Sequence, residues 1–366
     1  MKIVFFINSL QQQRCYKRMR EFQANGYEIE AYGFEREGNR VPMVEGISVT
    51  TIGYIPFVMP YHKRMQLMYN SIKPIARQYK NDRNTIFYYF LLDIAIAARL
   101  CTRHNYIYEE SDISQAYIKN PLVRHTLDII DRNTIRHSLL TVFTSSGFIE
   151  YHYGNKTVRN AVIVPNRLDK RILDFPYTPE PTDVKHLRFA YIGHIRHRAT
   201  LTFANTIATQ FPQHEMHLYG TIRPELHFED VKAPNIITHG SFINPDDLPQ
   251  IYSQTDIVIA PEYDENEING RYAEPNKLYD AIYFRRPIIT NPDTHTADII
   301  LQRHIGYVIN FTVQEITDFV NSLTADKLQR ATDSLNAIPQ HEALNDNPLL
   351  FDKLMNSKNC KYHGLF

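Results

Sequence analysis

At 366 residues, of which 43% are apolar, the chain is too long for one ordinary domain and can bury two cores. Forty Lys and Arg balance forty Asp and Glu, so the composition has none of the strong positive charge that marks a nucleic-acid-binding protein. Residues 1–166 nevertheless hold 21 basic against 14 acidic side chains, and the remainder 19 against 26. The basic half suits an anionic partner, either a phosphate-bearing acceptor or an anionic membrane surface; an uneven solvated surface explains it equally well.

The segment Lys2-Ile3-Val4-Phe5-Phe6-Ile7 has one positive charge and five apolar residues in a row. That is too short for the apolar region of a signal peptide and reads as a buried first strand. The turn after it, Asn8-Ser9-Leu10-Gln11-Gln12-Gln13, lacks Gly-x-Gly-x-x-Gly, which disfavours a nicotinamide-dependent dehydrogenase. Residues 14–25 then read as a helix closed by Gly26, and 28–32 as a strand. Residues 61–79, with Lys63, Arg64, Lys73 and Arg77 beside Met65, Leu67 and Met68, form a basic amphipathic helix that either lies on an anionic membrane or packs on the sheet. Strands follow at 106–109, 140–144 and 161–164. The most apolar window, 86–100, contains Asp93 and Arg99 and falls short of a membrane span. The expectation is a cytoplasmic protein, at most peripheral on the inner face of the cell membrane.

After a segment with Pro176, Pro179 and Pro181, a second run of strands begins: 188–192, 216–219, 235–239, 256–260, 287–290 and 307–310. Short apolar runs alternating with helical stretches define an α/β fold with parallel sheets. The expected organisation is a Rossmann-like domain over 1–170, a linker over 171–186, and a second Rossmann-like domain over 187–345. Residues 346–366 would form a last helix, and ligands would bind at the carboxyl edges of the strands. Cys15, Cys101 and Cys360 and the sixteen scattered His show no metal-ligand spacing, so neither a disulfide framework nor a metal or cofactor is expected.

Residues 269–290 carry the most specific signal. Pro275-Asn276-Lys277-Leu278-Tyr279-Asp280-Ala281, followed by Arg286-Pro287-Ile288-Ile289, resembles the donor segment of retaining glycosyltransferases with the glycosyltransferase-B fold, in bacterial polysaccharide biosynthesis. That segment commonly reads Pro-x-Lys-Leu-x-Glu-Tyr, then Gly-Lys-Pro-Val-Val. Here the Glu is Asp280, the Gly is Arg285, and a second Glu usual eight residues before the first is Tyr272.

The resemblance implies two domains facing a ligand cleft, the helix of residues 346–366 crossing back to the first domain, and a nucleotide-sugar donor site in the second. Arg196 and Arg198, after Gly193, would neutralise the diphosphate together with Lys277; Asp280 would accept the ribose hydroxyls. Pro275, Asn276 and Leu278 belong to the same donor segment. Arg223, Phe242 and the backbone near Ile243 come from strand ends that flank the nucleotide base. Glu274 is the nearest substitute for the missing Glu at the transferred sugar, with Glu267 second. The acidic run Glu262, Asp264, Glu265 and Glu267 reads as solvated loop charge. On the acceptor side, Glu110 or Asp112 would orient or deprotonate the acceptor hydroxyl and Arg14 would contact an acceptor phosphate. The implied reaction is sugar transfer from a nucleotide sugar to a saccharide or lipid-linked acceptor, with catalytic roles for Glu274, Arg196, Lys277 and Asp112. A sugar-nucleotide 2-epimerase and an inactive nucleotide-sugar-binding protein are the alternatives.

Overall fold

The computed structural model describes residues 1–36, 46–56, 58–154, 156–228, 231–264 and 267–362. It divides into two compact units, Met1–Pro165 with Asn347–Phe366, and Asn166–Asp346.

The first unit is a parallel sheet of β1 (Lys2–Ile7), β2 (Glu28–Arg36), β3 (Thr50–Ile55), β4 (Thr85–Phe90), β5 (Tyr106–Glu110), β6 (Leu140–Phe143) and β7 (Ala161–Ile163). Its order is β3-β2-β1-β4-β5-β6-β7, so the winding direction reverses between β1 and β4. Helices cover both faces, and central strands accordingly read as unbroken apolar runs: every residue of β4 is buried. Phe5, Phe22, Tyr88 and Phe90 form one aromatic cluster, with the Phe5 and Tyr88 centroids 4.8 Å apart. Burial of each such side chain contributes roughly 1.5–3 kcal/mol. The helix Gln13–Ala24 ends as its sequence demands: Gly26 takes φ 80° and the Tyr27 amide donates to the Phe22 carbonyl. The helix Pro348–Tyr362 belongs to this unit, where Phe351 packs on Phe22 and Lys353 Nζ donates to the Ala161 carbonyl at 2.6 Å.

The second unit repeats the plan with β8 (Arg188–Ile192), β9 (Glu215–Tyr219), β10 (Ile236–Gly240), β11 (Ile257–Ile259), β12 (Ile288–Thr290) and β13 (Gly306–Val308). The parallel order is β10-β9-β8-β11-β12-β13, with the reversal between β8 and β11. Residues 166–186 pack on this unit. Leu168 exchanges backbone hydrogen bonds with Ala343 and Asn345, Tyr177 donates to the Phe284 carbonyl, and Thr182 donates to Asp256. The segment expected as a linker is thus tied to the second domain along its length.

Two strands escape the sequence pattern. The strand β3 is a half-exposed edge, Thr-Thr-Ile-Gly-Tyr-Ile, with little apolar content. The strand β4 abuts the helix Leu92–Cys101 with only Leu91, at φ 69°, between them, so both merge into one apolar window. Residue Arg285, where the resembling family has Gly, ends the helix Asn276–Phe284 in the left-handed region at φ 58°. Its guanidinium donates to the Leu335 carbonyl, which gives this side chain a reason to accept the strained backbone.

Candidate active site

Three neighbouring strands of the second sheet end in glycine. Gly193, Gly220 and Gly240 follow or close β8, β9 and β10 at φ 129°, 117° and 76°. Their backbones interlock, with the Gly193 amide on the Tyr219 carbonyl at 2.9 Å and the Gly220 amide on the Gly240 carbonyl at 2.6 Å. A β-carbon on Gly220 would sit 2.0 Å from the Gly193 oxygen, an overlap that nothing but backbone movement relieves. Gly220→Ala is therefore expected to destabilise the protein by about 2–4 kcal/mol through strain and overpacking, read as a lower urea midpoint, and to misplace Gly193.

Gly193 stands at the switch point of the sheet, where parallel α/β folds bind ligands. A β-carbon there would lie 3.7 Å from Lys277 Nζ, so the glycine keeps the space beside that ammonium open. Lys277, on the first turn of Asn276–Phe284, lays its Nζ 4.4 Å from the centre of the Tyr191 ring. The ring is fixed in turn by its hydroxyl, which donates to the His194 carbonyl at 3.0 Å. Arg196 donates from Nε to His197 Nε2 at 3.1 Å. Burial and the charges of Arg196, Lys277 and Arg223 push His197 down to about 3, and burial with Arg223 and Arg196 lowers His194 as well. Both imidazoles are therefore held neutral at physiological pH, by burial first and by the neighbouring cations second. Arg196 and Arg223 lie on the turns after β8 and β9, and Lys277 on the first turn of the helix beside them.

Arg198 does not join them. Its side chain is exposed, and its amide and that of Ala199 donate to Asp264 at 2.9 and 3.0 Å, so an internal carboxylate caps the helix Arg198–Gln210.

The acidic loop departs from its reading as solvated charge. Glu262, directly after β11, is 5% exposed. Its amide donates to Asn291 Oδ1 at 2.8 Å, and Gly270 packs against its carbonyl. Burial pushes its carboxyl up to about 7 against the opposing charges of Lys277 and Arg196. Asp264 is a helix cap, and Glu265 lies outside the described residues. Sequence reading misses Glu262 because its burial comes from the loop folding back through Gly270, which no local pattern announces.

The raised carboxyl has a testable consequence. Between about pH 4.5 and 7 the folded chain holds a proton at Glu262 that the unfolded chain releases, so stability falls as pH rises through this window. The loss amounts to about 3 kcal/mol and levels off above pH 7. Denaturation of the wild type and Glu262→Gln across pH 4.5–8 should show this slope in the first and its absence in the second.

Other candidates fall differently. The Glu274 side chain, only 4% exposed, accepts from the Tyr279 hydroxyl and sits 3.2 Å from His295 Nε2. It staples the donor helix to the next helix, in place of the open sugar contact expected of it. Leu278 is a core side chain, and Asp280 is buried on the same helix, its charge raising the Tyr252 hydroxyl secondarily to burial. Pro275 starts the helix, and Asn276 accepts from Asn166 at 2.6 Å. Phe242 packs partly against the core; Ile243 is 65% exposed, but its amide and carbonyl are both engaged by Asp247. That engagement corrects the expectation that the Ile243 amide reads a base.

In the first unit Arg14 reaches from the helix after β1 to Asp112 after β5 at 3.3 Å, joining two of the acceptor-side candidates. Glu110 is fully buried against His152, where its carboxyl is out of reach of solvent, in place of the acceptor contact expected of it. Among the described residues no helix is long and apolar enough to cross a membrane.

The sheet order, the glycine-lined edge and the cation trio now stand beside known proteins. Sucrose-phosphate synthase from Thermosynechococcus elongatus superposes over 99% of this chain and 100% of its own, at a TM-score of 0.69 and 12% identity. The chain has the glycosyltransferase-B fold. The same fold relates it to the Anabaena protein HepE in complex with UDP and glucose, over 99% of this chain and 100% of that one, at a TM-score of 0.68 and 14% identity. In sequence it is 22% identical over 331 residues to the succinoglycan biosynthesis protein ExoL of Rhizobium meliloti strain 1021, covering 84% of this chain and 81% of the relative. No family model matches. The glycosyltransferase-B fold accounts for both sheets.

Proposed function

We propose that the chain is a glycosyltransferase that moves a sugar from a nucleoside diphosphate sugar to a saccharide or lipid-linked acceptor in polysaccharide biosynthesis, with retention of configuration. The observation that carries this reading is Lys277 Nζ beside the space that Gly193 leaves open at the switch point of the second sheet, with Arg196 and Arg223 on the neighbouring turns. Two of those cations come from the turns after β8 and β9 and the third from the donor helix. They suit a diphosphate that lies along the carboxyl edge. The relatives support the same direction, since ExoL is named for succinoglycan biosynthesis and HepE was seen with UDP and glucose; uridine diphosphate sugars are the first donors to try.

In this scheme the bond between the sugar's anomeric carbon and the diphosphate oxygen breaks, and its electron pair stays on the phosphate. Arg196 and Lys277 stabilise the charge that grows there. The acceptor oxygen bonds to the anomeric carbon on the same face, and its proton passes to the departing phosphate oxygen, so no protein base is required. Asp280 takes the ribose hydroxyls. Glu262, neutral below about pH 7, adds no negative charge beside Arg196 and Lys277 in that range. Three fixed cations make a metal unnecessary for the diphosphate.

The test is product analysis with purified chain and UDP, GDP, ADP and CMP sugars, with and without saccharide acceptors. Acceptor-dependent release of nucleotide, lost in Arg196→Ala, supports the reading, and the anomer of the product decides retention. An epimerised nucleotide sugar formed without acceptor would make the chain a 2-epimerase on the same fold. Binding without turnover would make it a nucleotide-sugar-binding protein.

The first unit carries a face suited to an anionic lipid surface, which would bring a lipid-linked acceptor within reach. An apolar groove of about 580 Å³ lined by Tyr61, Met65, Tyr69, Ile96 and Leu127 meets, at the 71% exposed Leu100, a second cavity edged by Arg77, Lys80, Arg99 and Arg103. Co-sedimentation with vesicles containing phosphatidylglycerol should exceed that with phosphatidylcholine alone and fall in Arg77→Glu/Lys80→Glu. Equal sedimentation with both lipids would remove the membrane role.

A further inference from the structure

Glu110, Asp131 and His152 come from three different elements of the first unit: the end of β5, the helix Pro121–His137 and the helix Ser146–Tyr153. All three are buried, and their donor atoms lie within 4.8 Å of one another. His152 Nε2 is 2.8 Å from Glu110 Oε1 and 3.6 Å from Asp131 Oδ2. A tetrahedral ion held at about 2.0–2.2 Å by nitrogen and oxygen ligands sets those ligands about 3.3 Å apart. The cluster brackets that spacing.

Two further observations point to a ligand. Glu110 Oε2 and Gln115 Oε1 are buried without a hydrogen-bond partner. The Gln115 side chain borders the cluster, donating from Nε2 to Asp131 Oδ2 at 3.0 Å, and the unpaired oxygen belongs to the same amide. Moreover, among the described residues neither carboxylate is paired with Lys or Arg: the partners are His152, Tyr108 and Gln115. Two carboxylates out of reach of water need a compensating charge.

We infer that Glu110, Asp131 and His152 form a structural site for a divalent transition ion of the zinc class, bordered by Gln115. The ion would clamp β5 to the helices Pro121–His137 and Ser146–Tyr153. Three donors from three elements fix the ion only in the folded chain, so binding stabilises the fold. The site lies within the first unit and does not rest on the donor-site reading.

The test uses the full chain stripped with chelator, loaded separately with Zn²⁺, Mn²⁺ and Co²⁺, and freed of excess metal. Elemental analysis should find about one zinc per chain. Cobalt should give visible absorption of a tetrahedral centre, and zinc at about 100 times its Kd should raise the melting temperature by about 5 °C or more. His152→Gln should lose all three signals, whereas His125→Gln, at an exposed position, should keep them. Absence of stoichiometric metal and of any melting shift in the wild type overturns the site, leaving a shared proton to balance the carboxylates. Metal that survives in His152→Gln overturns it too, by placing the ion on surface histidines. The wild-type cobalt spectrum decides the matter even where His152→Gln fails to fold.

Discussion

Lys277→Ala lowers kcat/KM for nucleotide-sugar turnover by about 100- to 1,000-fold, with most of the loss in kcat. The ammonium lies over the Tyr191 ring at 4.4 Å and beside the open space at Gly193, so a phosphate bound there would meet it without a swing of the side chain. Negative charge on the leaving diphosphate grows as the glycosidic bond breaks. An interaction that strengthens in the transition state acts on kcat more than on KM. Arg196 and Arg223 stay in place, so nucleotide binding weakens by less than turnover. Lys277→Arg restores part of the activity because it keeps the charge but changes its shape. Steady-state kinetics of the three proteins with one donor read the split directly; equal falls in donor affinity and kcat/KM with unchanged kcat would confine Lys277 to binding.

Asp256→Ala destabilises the second unit by about 3 kcal/mol or more. Asp256 is 2% exposed, and its carboxylate takes four hydrogen bonds. The Arg188 amide, Nε and Nη2 donate at 2.9, 3.1 and 3.1 Å, and the Thr182 hydroxyl at 2.8 Å. These contacts tie β11 to β8 at the strands' amino end and hold the preceding segment against the sheet. Removing the carboxylate leaves the Arg188 guanidinium with Glu180 and a long contact to the Pro181 carbonyl, and strands a part-buried backbone amide. Asp256→Asn retains shape and some acceptors, so its cost is smaller, about 1–2 kcal/mol. Urea denaturation followed by a probe in the second unit measures both, and a loss below 1 kcal/mol for Asp256→Ala would show that the clamp is redundant.

The sequence makes the two sheets legible because strands covered on both faces are written as unbroken apolar runs, such as Ile3 to Ile7 and Phe189 to Ile192. It hides β3, whose edge position needs few apolar residues, and β4, which runs into a helix at Leu91. The cations were legible in kind because glycine after a strand and a Pro-x-Lys-Leu segment each have a local chemical signature. The carboxylates were not. Along β5, alternation sends Tyr108 and Glu110 to Asp131 and His152 on one face and Glu109 to Arg18 on the other. A position at the strand's end therefore does not make Glu110 an acceptor contact. Glu262 and Glu274 exchange their expected exposure for the same reason: tertiary packing by Gly270, Tyr279 and His295 decides it.

Gly193, Arg196, Arg223 and Lys277 are proposed to form a nucleoside diphosphate site. Calorimetric titration of UDP into the full chain tests it most directly, beside Arg196→Ala and Lys277→Ala. Saturable binding to the wild type, weakened about tenfold or more by each substitution, is the predicted result. Failure of UDP, GDP, ADP and CDP to bind the wild type, or undiminished binding to both variants, would contradict it.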